Sequence, residues 1–134
     1  MHVRLAKSFT FEAAHFLPCF PDGHKCRRMH GHSFKVEIIV EGALDEAKGY
    51  LVDYGDLKKA VSPLHDALDH RCLNEIEGLE NPTSEMLAAW IWKRLKPSVP
   101  MLTEVVVCET CTSRCEFRGD DVRGNDVRVN NGKS

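Results

Sequence analysis

Two long segments with alternating apolar and polar residues precede any helical segment, and this order constrains the fold more than any other feature. The first covers residues 3–17 and the second residues 30–42. In the second, Phe34, Val36, Ile38 and Val40 fall on one face. An alternation with period two predicts strands that bury one face. Residues 18–29, which contain two prolines and Asp22-Gly23, predict the loop between the strands.

The remaining segments predict two helices followed by two strands. Asp53 is a plausible cap for a helix that begins at Tyr54, and Pro63 predicts a kink or a break within that helix. A second helix follows residues 81–85, with Thr83 or Asn81 as its cap. Final strands are expected over residues 101–108 and 113–118. The order ββααββ lacks the alternation of a parallel sheet, so we expect an α+β fold with a four-stranded antiparallel sheet and two helices on one face.

Length and charge limit the classes of function. A chain of 134 residues predicts a single domain, over residues 1–118, and the polar residues 119–134 are expected to form a disordered tail. The net charge of −2 gives no basic surface for nucleic acid. No apolar run approaches the roughly 20 residues of a membrane helix, and the N-terminus lacks the apolar stretch of a signal peptide. These features predict a cytoplasmic protein that binds neither nucleic acid nor membrane, and a domain this small often oligomerises.

Histidines form the strongest local signal. His30 and His32 lie two residues apart at the start of a predicted strand, so their side chains point to one face. His15, at the end of the first strand, can supply a third nitrogen if the two strands pair antiparallel. Three imidazoles without a fourth protein ligand are typical of a catalytic Zn²⁺ site. Two alternatives stay open: the histidines lie on the surface without a metal, or His24 is a ligand.

Six cysteines occur in the chain, and nothing indicates secretion, so we expect reduced thiols rather than disulfides. Three of them, Cys108, Cys111 and Cys115, are one short of the four thiolates that an iron–sulfur cluster or a structural zinc site usually needs. Cys26 is flanked by Lys25, Arg27 and Arg28, and positive neighbours favour the thiolate form. From its neighbours alone, an inert loop thiol is the simpler interpretation of Cys26.

Five motifs in order resemble a known family. They are Phe9-Thr10-Phe11-Glu12-Ala13-Ala14-His15, Cys26 four residues before His30-Gly31-His32-Ser33, Leu68-Asp69-His70, Glu80-Asn81-Pro82-Thr83-Ser84-Glu85, and Glu109-Thr110. This series resembles the 6-pyruvoyltetrahydropterin synthase superfamily over about residues 7–119. The short spacing from Cys26 to His30 and the run Glu109-Thr110-Cys111-Thr112 are most similar to the bacterial 6-carboxytetrahydropterin synthases of queuosine biosynthesis.

The resemblance implies a reaction and a role for each motif residue. The substrate would be 7,8-dihydroneopterin triphosphate, and the products 6-carboxy-5,6,7,8-tetrahydropterin, acetaldehyde and triphosphate. Zinc on His15, His30 and His32 would act as a Lewis acid, and Cys26 would be the catalytic base. The resemblance also implies a catalytic dyad of Asp69 and His70, a pterin anchor at Glu109 and ring contacts from Thr83 and Ser84.

Simpler interpretations exist for several of these residues. An Asp-His pair near a helix end is often a capping feature, Glu109 suits a solvated strand end, and Thr83 and Ser84 both suit helix caps. Lys25, Arg27 and Arg28 are candidates for binding the triphosphate only by their charge.

The resemblance implies a tunnelling-fold assembly in which sheets join into trimeric barrels that stack as a homohexamer, with active sites between subunits. Two other functions remain open at this point. One is a sister reaction on the same scaffold, either formation of a 6-pyruvoyl product or an aldolase-like cleavage. The other is a non-catalytic zinc-binding module, which would unfold when its metal is removed.

Overall fold

Two long antiparallel strands form the centre of the computed structural model, which describes residues 1–119. Strand β1 (His2–His15) pairs along its whole length with β2 (His30–Ala43), so that Phe11 lies opposite Phe34 and His15 opposite His30. Both predicted strands are confirmed. The first ends two residues early because the Phe16 N–H donates to Asn74 Oδ1, at 3.0 Å, rather than to a strand. The predicted tail lies, apart from Gly119, outside the described residues.

Helix α1 (Tyr54–Leu68) begins as predicted. The Asp53 carboxylate accepts a hydrogen bond from the Gly55 N–H at 2.8 Å, which satisfies one of the unpaired donors at a helix start. The predicted break at Pro63 is wrong, because the helix continues through this residue, and the kink stays a prediction. Pro63 lacks the N–H that would bond the Lys59 carbonyl. Both residues are exposed, so water can satisfy that carbonyl while the buried face stays packed on the sheet.

Helix α2 (Ser84–Leu95) is capped by Thr83, whose hydroxyl accepts a hydrogen bond from the Met86 N–H at 3.1 Å. Thr83, and not Asn81, is therefore the cap. The buried side chains of this helix are Leu87, Ala88, Trp90, Ile91 and Leu95. Over residues 1–119, neither helix has the length and apolar character needed to cross a membrane.

The sheet contains one strand more than predicted. Strands β4 (Leu102–Thr110) and β5 (Ser113–Phe117) complete the four antiparallel strands, which are confirmed. In addition, the two-residue strand β3 (Arg71–Cys72) pairs parallel to β1 at Ala13 and Ala14. The strand order is β3-β1-β2-β4-β5, a five-stranded mixed sheet. Two residues are too few for a periodic pattern, so the sequence carried no signal for β3.

One face of the sheet forms the core and leads directly to the histidines. Phe34, Val36, Ile38 and Val40 of β2 are fully buried and share one hydrophobic cluster with the apolar faces of both helices. Side chains two residues apart on a strand share a face. His30 and His32 therefore continue the line of core residues past Phe34. This α+β architecture, with both helices on one face, is the predicted one, and it places the candidate site where the core reaches one end of the sheet.

Candidate metal centre

Three imidazoles meet at the end of the central strand pair. His15 is the last residue of β1, His30 is the first of β2, and the two are register partners. One ring nitrogen from each of His15, His30 and His32 lies within 4.8 Å of the others. The three ring centroids are 4.6 to 5.1 Å apart. Below them, the Phe34 ring lies 5.5 Å from both His15 and His32, nearly perpendicular to each.

Backbone carbonyls orient two of the rings. His15 Nδ1 donates to the Pro82 carbonyl at 2.9 Å, and His30 Nδ1 donates to the Arg28 carbonyl at 2.7 Å. A carbonyl can only accept, so Nδ1 carries a proton, and in the neutral ring Nε2 then has the free lone pair that a metal needs. Second partners of this kind are typical of metal-binding histidines.

The free nitrogens fit a divalent metal. Nε2 of His15 and Nε2 of His32 are both buried and have no hydrogen-bond partner. Buried polar atoms are rarely left unpaired, because the lost hydration is costly. Three neutral imidazoles are a donor set that zinc favours, and residues 1–119 add no fourth ligand to the cluster, which leaves a position open for substrate. His15, His30 and His32 can therefore hold a metal ion.

The electrostatics of the cluster keep His15 neutral. The pKa of His15 is lowered, first by burial of its ring and further by the neighbouring His30 and His32. The hydrogen bond to Pro82 and the charge of Glu109 act in the opposite direction without reversing the shift. A metal-ligating histidine must be deprotonated at the ligating nitrogen, so the lowered pKa favours metal binding near neutral pH.

Cys26 and Glu109 face the same cavity as two of the histidines. This cavity has a volume of about 600 Å³, and its lining includes Cys26, His30, His32 and Glu109. The two Glu109 carboxylate oxygens lie 3.7 Å from Nε2 of His15 and from Nε2 of His32. These distances are too long for hydrogen bonds. One cavity thus combines histidines that can hold a metal, a thiol and a carboxylate. These are groups that can transfer protons on a polar substrate.

His24, the alternative ligand, lies outside the cluster. Its Nδ1 accepts a hydrogen bond from the Cys26 N–H at 3.0 Å, and its ring packs against Phe20. His24 therefore shapes the loop that carries Cys26.

Asp69 and His70 form a hydrogen-bonded pair. His70 Nδ1 lies 2.9 Å from Asp69 Oδ2, and Asp69 Oδ1 accepts from the Glu12 N–H at 2.9 Å. The Glu12 carbonyl in turn accepts from the His70 N–H at 2.6 Å. The pKa of Asp69 is lowered, first by the hydrogen bond from the Glu12 N–H and then by the hydrogen bond from the His70 side chain. The carboxylate is therefore ionised at neutral pH, and its hydrogen bond orients the His70 ring.

Within one chain, this pair does not reach Cys26. His70 is exposed and faces a second cavity of about 580 Å³, whose lining includes Glu12, Ser33 and Arg71. The two cavities share only Gly31 and His32 among their lining residues. The structure thus brings together five predicted site residues, His15, His30, His32, Cys26 and Glu109, and leaves Asp69 and His70 apart from them.

Thr83 and Ser84 do not line the described cavity. The Thr83 hydroxyl is used as the helix cap, and the Ser84 hydroxyl lies 3.3 Å from a Glu85 carboxylate oxygen. The contribution of this segment is the Pro82 carbonyl, which orients His15. The sequence analysis missed the Pro82 and Arg28 carbonyls, because a backbone acceptor leaves no signal in residue identity.

The fold and the cluster define an α+β protein with three histidines that can hold a metal ion. The sequence profile of the family described as 6-pyruvoyl tetrahydropterin synthase matches residues 4–120. The chain belongs to this family.

Individual relatives differ in their named activities. The chain is 47% identical over 119 residues to the 6-carboxy-5,6,7,8-tetrahydropterin synthase of Synechocystis sp., covering 83% of this chain and 89% of that protein. It is 38% identical over 100 residues to the dihydroneopterin monophosphate aldolase of Pyrococcus furiosus, covering 75% and 81%. Among solved structures, the 6-pyruvoyl tetrahydropterin synthase of Caenorhabditis elegans gives a TM-score of 0.82 at 27% identity, covering 90% of this chain and 97% of that chain. The family supports an enzyme that acts on a pterin.

Proposed function

We propose that this protein is a zinc-dependent 6-carboxytetrahydropterin synthase of queuosine biosynthesis. It would convert 7,8-dihydroneopterin triphosphate to 6-carboxy-5,6,7,8-tetrahydropterin, acetaldehyde and triphosphate. The observation that carries the proposal is the cavity in which Cys26 and Glu109 face the same space as His30 and His32. The 47% identity to the Synechocystis enzyme supports the carboxy-forming branch.

His15, His30 and His32 would hold the zinc, which supplies Lewis acidity to the side-chain oxygens of the substrate when bound. Cys26 is the proposed base, and its Sγ takes a proton from a substrate side-chain carbon next to the pterin ring. Lys25 and Arg28 line the same cavity as this thiol. The thiolate is the form able to accept a proton.

Glu109 is the proposed anchor of the pterin ring. A carboxylate accepts two parallel hydrogen bonds from an amino group and an adjacent N–H, the pair that a pterin edge presents. Glu109 lines the cavity, and its carboxylate oxygens lie 3.7 Å from Nε2 of His15 and of His32. A pterin ring held by Glu109 would place the side chain of the substrate close to the three histidines and Cys26.

Asp69 and His70 would act from a neighbouring subunit. Within one chain His70 opens onto a different cavity from Cys26, so a second copy is needed to bring the pair to the thiol. Asp69 would orient the His70 ring, and His70 would return a proton to the substrate. Apart from the short pairing with β3, β1 has one open edge, and closing sheets into a barrel removes such edges. We therefore include a homohexamer of stacked trimers in the proposal.

Product identity tests the reaction. The zinc-loaded protein is incubated with 7,8-dihydroneopterin triphosphate, products are identified by mass, and acetaldehyde is measured separately. A carboxylated tetrahydropterin with acetaldehyde is expected, and Cys26→Ala should abolish both while the exposed Cys19→Ala control retains them. A pyruvoyl product or an aldol cleavage product would assign the chain to a sister activity. No turnover by the zinc-loaded protein would refute the enzymatic proposal.

Metal removal separates the enzyme from a zinc-binding module. We expect a chelator to abolish turnover while the far-UV circular dichroism spectrum is retained, because the buried cluster packs both helices on the sheet independently of the metal site. Unfolding of the chain on chelation would instead support the structural module.

The proposal includes a cytoplasmic location. All six cysteines lie in the described part of the chain and are unpaired, a state that a reducing compartment maintains.

A further inference from the structure

We propose that Lys25 and Arg28 bind the oligophosphate chain of the substrate, and that Arg27 is a positioning residue that holds their loop. The inference deepens the proposed function and rests on it for the identity of the phosphorylated ligand. It divides three neighbouring cations, which the sequence cannot distinguish, into two roles.

The local backbone places Lys25 and Arg28 on one side. Residues Lys25–Arg27 form a single 3₁₀ turn, closed by a hydrogen bond from the Arg28 N–H to the Lys25 carbonyl at 3.1 Å. A 3₁₀ helix has three residues per turn, so the side chains of residues i and i+3 lie above one another. In agreement, Lys25 and Arg28 both line the cavity that contains Cys26 and His30, whereas Arg27 does not.

Arg27 makes its contacts within the loop. Its Nη1 donates to the carbonyls of Pro18 and Phe20 at 2.6 and 2.8 Å, and its Nη2 lies 3.5 Å from Asp22 Oδ1. These contacts span the loop, and a hydrogen bond from the Leu17 N–H to the Cys26 carbonyl at 2.8 Å closes it. These partners hold the guanidinium at the loop backbone, away from the cavity that Lys25 and Arg28 line. Arg27 fixes the turn that presents the other two cations.

The cations of Lys25 and Arg28 have no acidic partner. Within residues 1–119, no carboxylate lies within ion-pair distance of either group, while Arg27 has Asp22. Of the described residues that line their cavity, Glu109 is the only acidic one. Lys25 and Arg28 are therefore two exposed cations, without an acidic partner among residues 1–119, on a turn beside the three histidines. They suit a multiply charged anion, because phosphate oxygens accept charge-assisted hydrogen bonds from both side chains. Their fixed placement reduces the ordering cost of binding.

Titration with inorganic triphosphate tests the site without turnover. The full-length chain is first freed of metal with a chelator, because triphosphate itself binds zinc, and affinity is measured by calorimetry. We expect Lys25→Gln and Arg28→Gln each to weaken binding roughly tenfold or more, and the double variant to weaken it further. Lys48→Gln removes an equal charge from an exposed turn elsewhere and should bind like the wild type. Arg28→Lys, which retains the charge, should recover part of the affinity.

Two outcomes would overturn the inference: wild-type protein that does not bind triphosphate, or Lys25→Gln and Arg28→Gln variants that bind it as tightly as Lys48→Gln. If triphosphate binding is lost in these variants but the wild type turns over no pterin, the phosphate site stands and the proposed reaction fails. If the reaction is found, the same variants should raise KM for the triphosphorylated substrate more than they lower kcat. An unchanged KM in an active enzyme would also refute the assignment.

Discussion

Replacing Phe34 with leucine tests whether the core positions the histidines. Phe34 is fully buried, stacks on Phe11 with ring centroids 5.0 Å apart, and contacts the rings of His15 and His32 at 5.5 Å. Phe11 is buried to almost the same extent, and its aromatic contacts are with Phe9 and Phe34 rather than with a histidine. Phe11→Leu is therefore a matched control. It removes the same aromatic stack but keeps the contacts of Phe34 with the His15 and His32 rings.

The two variants should lose similar stability. Loss of the aromatic pair costs about 0.5–1.5 kcal/mol, and the smaller side chain leaves unfilled volume that adds about 1 kcal/mol. We expect the free energy of unfolding to fall by about 2 kcal/mol in each. Urea denaturation in the presence of a chelator, at fixed protein concentration, measures this loss without a contribution from bound metal.

The effect on zinc should differ between the two. Groups that orient metal ligands typically change affinity by about 10–100-fold when altered, so Phe34→Leu should weaken zinc binding about tenfold. Phe11→Leu should leave it nearly unchanged. Competition with a chromophoric chelator measures both affinities. Equal zinc affinities in the two variants, at equal loss of stability, would refute the claim that Phe34 orients His15 and His32.

Three further predictions concern residues around the site. Thr83→Ala should lower the free energy of unfolding by about 1 kcal/mol, while Thr83→Ser retains stability; a raised KM without any loss of stability would show that the hydroxyl binds substrate. The pKa of Asp69 is lowered in the folded chain, so its ionised form contributes stability above the unfolded pKa, and this contribution is lost as the pH falls through the folded pKa. The stability difference between wild type and Asp69→Asn, from urea unfolding at several pH values, should therefore shrink in acid, and a difference that grows there would contradict it. Glu109→Gln should weaken binding of unphosphorylated dihydroneopterin roughly tenfold with zinc affinity retained; an equal loss for both ligands would place Glu109 at the metal instead.

Much of the fold could be predicted because its signals are local. The alternation around Phe34 to Val40 fixed both the strand and its buried face, and Asp53 and Thr83 marked helix starts through their own side chains. The break predicted at Pro63 is not found. Whether a proline breaks a helix depends on whether the carbonyl that loses its hydrogen bond, here that of Lys59, reaches water, and this is a tertiary property. Strand β3 depends on the position of β1 rather than on its own two residues.

The candidate site shows the same division. The spacing of His30 and His32 and the strand pairing with His15 predict the cluster, because strand periodicity determines which side chains meet. Strand periodicity carries no information on the roles of Arg27 and Arg28, which differ in the loop contacts of the Arg27 guanidinium and in the cavity that Arg28 lines. Nor does it show that Asp69 and His70 face a separate cavity, since this follows from the docking of their turn on Glu12.

The backbone of His70 bears on how selection has acted at this position. With φ at +60°, His70 is the one non-glycine residue in the described chain that adopts the left-handed conformation, at a cost of about 1 kcal/mol relative to glycine. Selection for stability alone would favour glycine at this turn, as at Gly23, Gly49 and Gly78, where φ is also positive. An imidazole at this position lowers the folding stability, but it places a proton-transfer group where Asp69 can hold it. A relative with glycine at this position would therefore be expected to gain stability and to lack the proton-transfer step that we assign to His70.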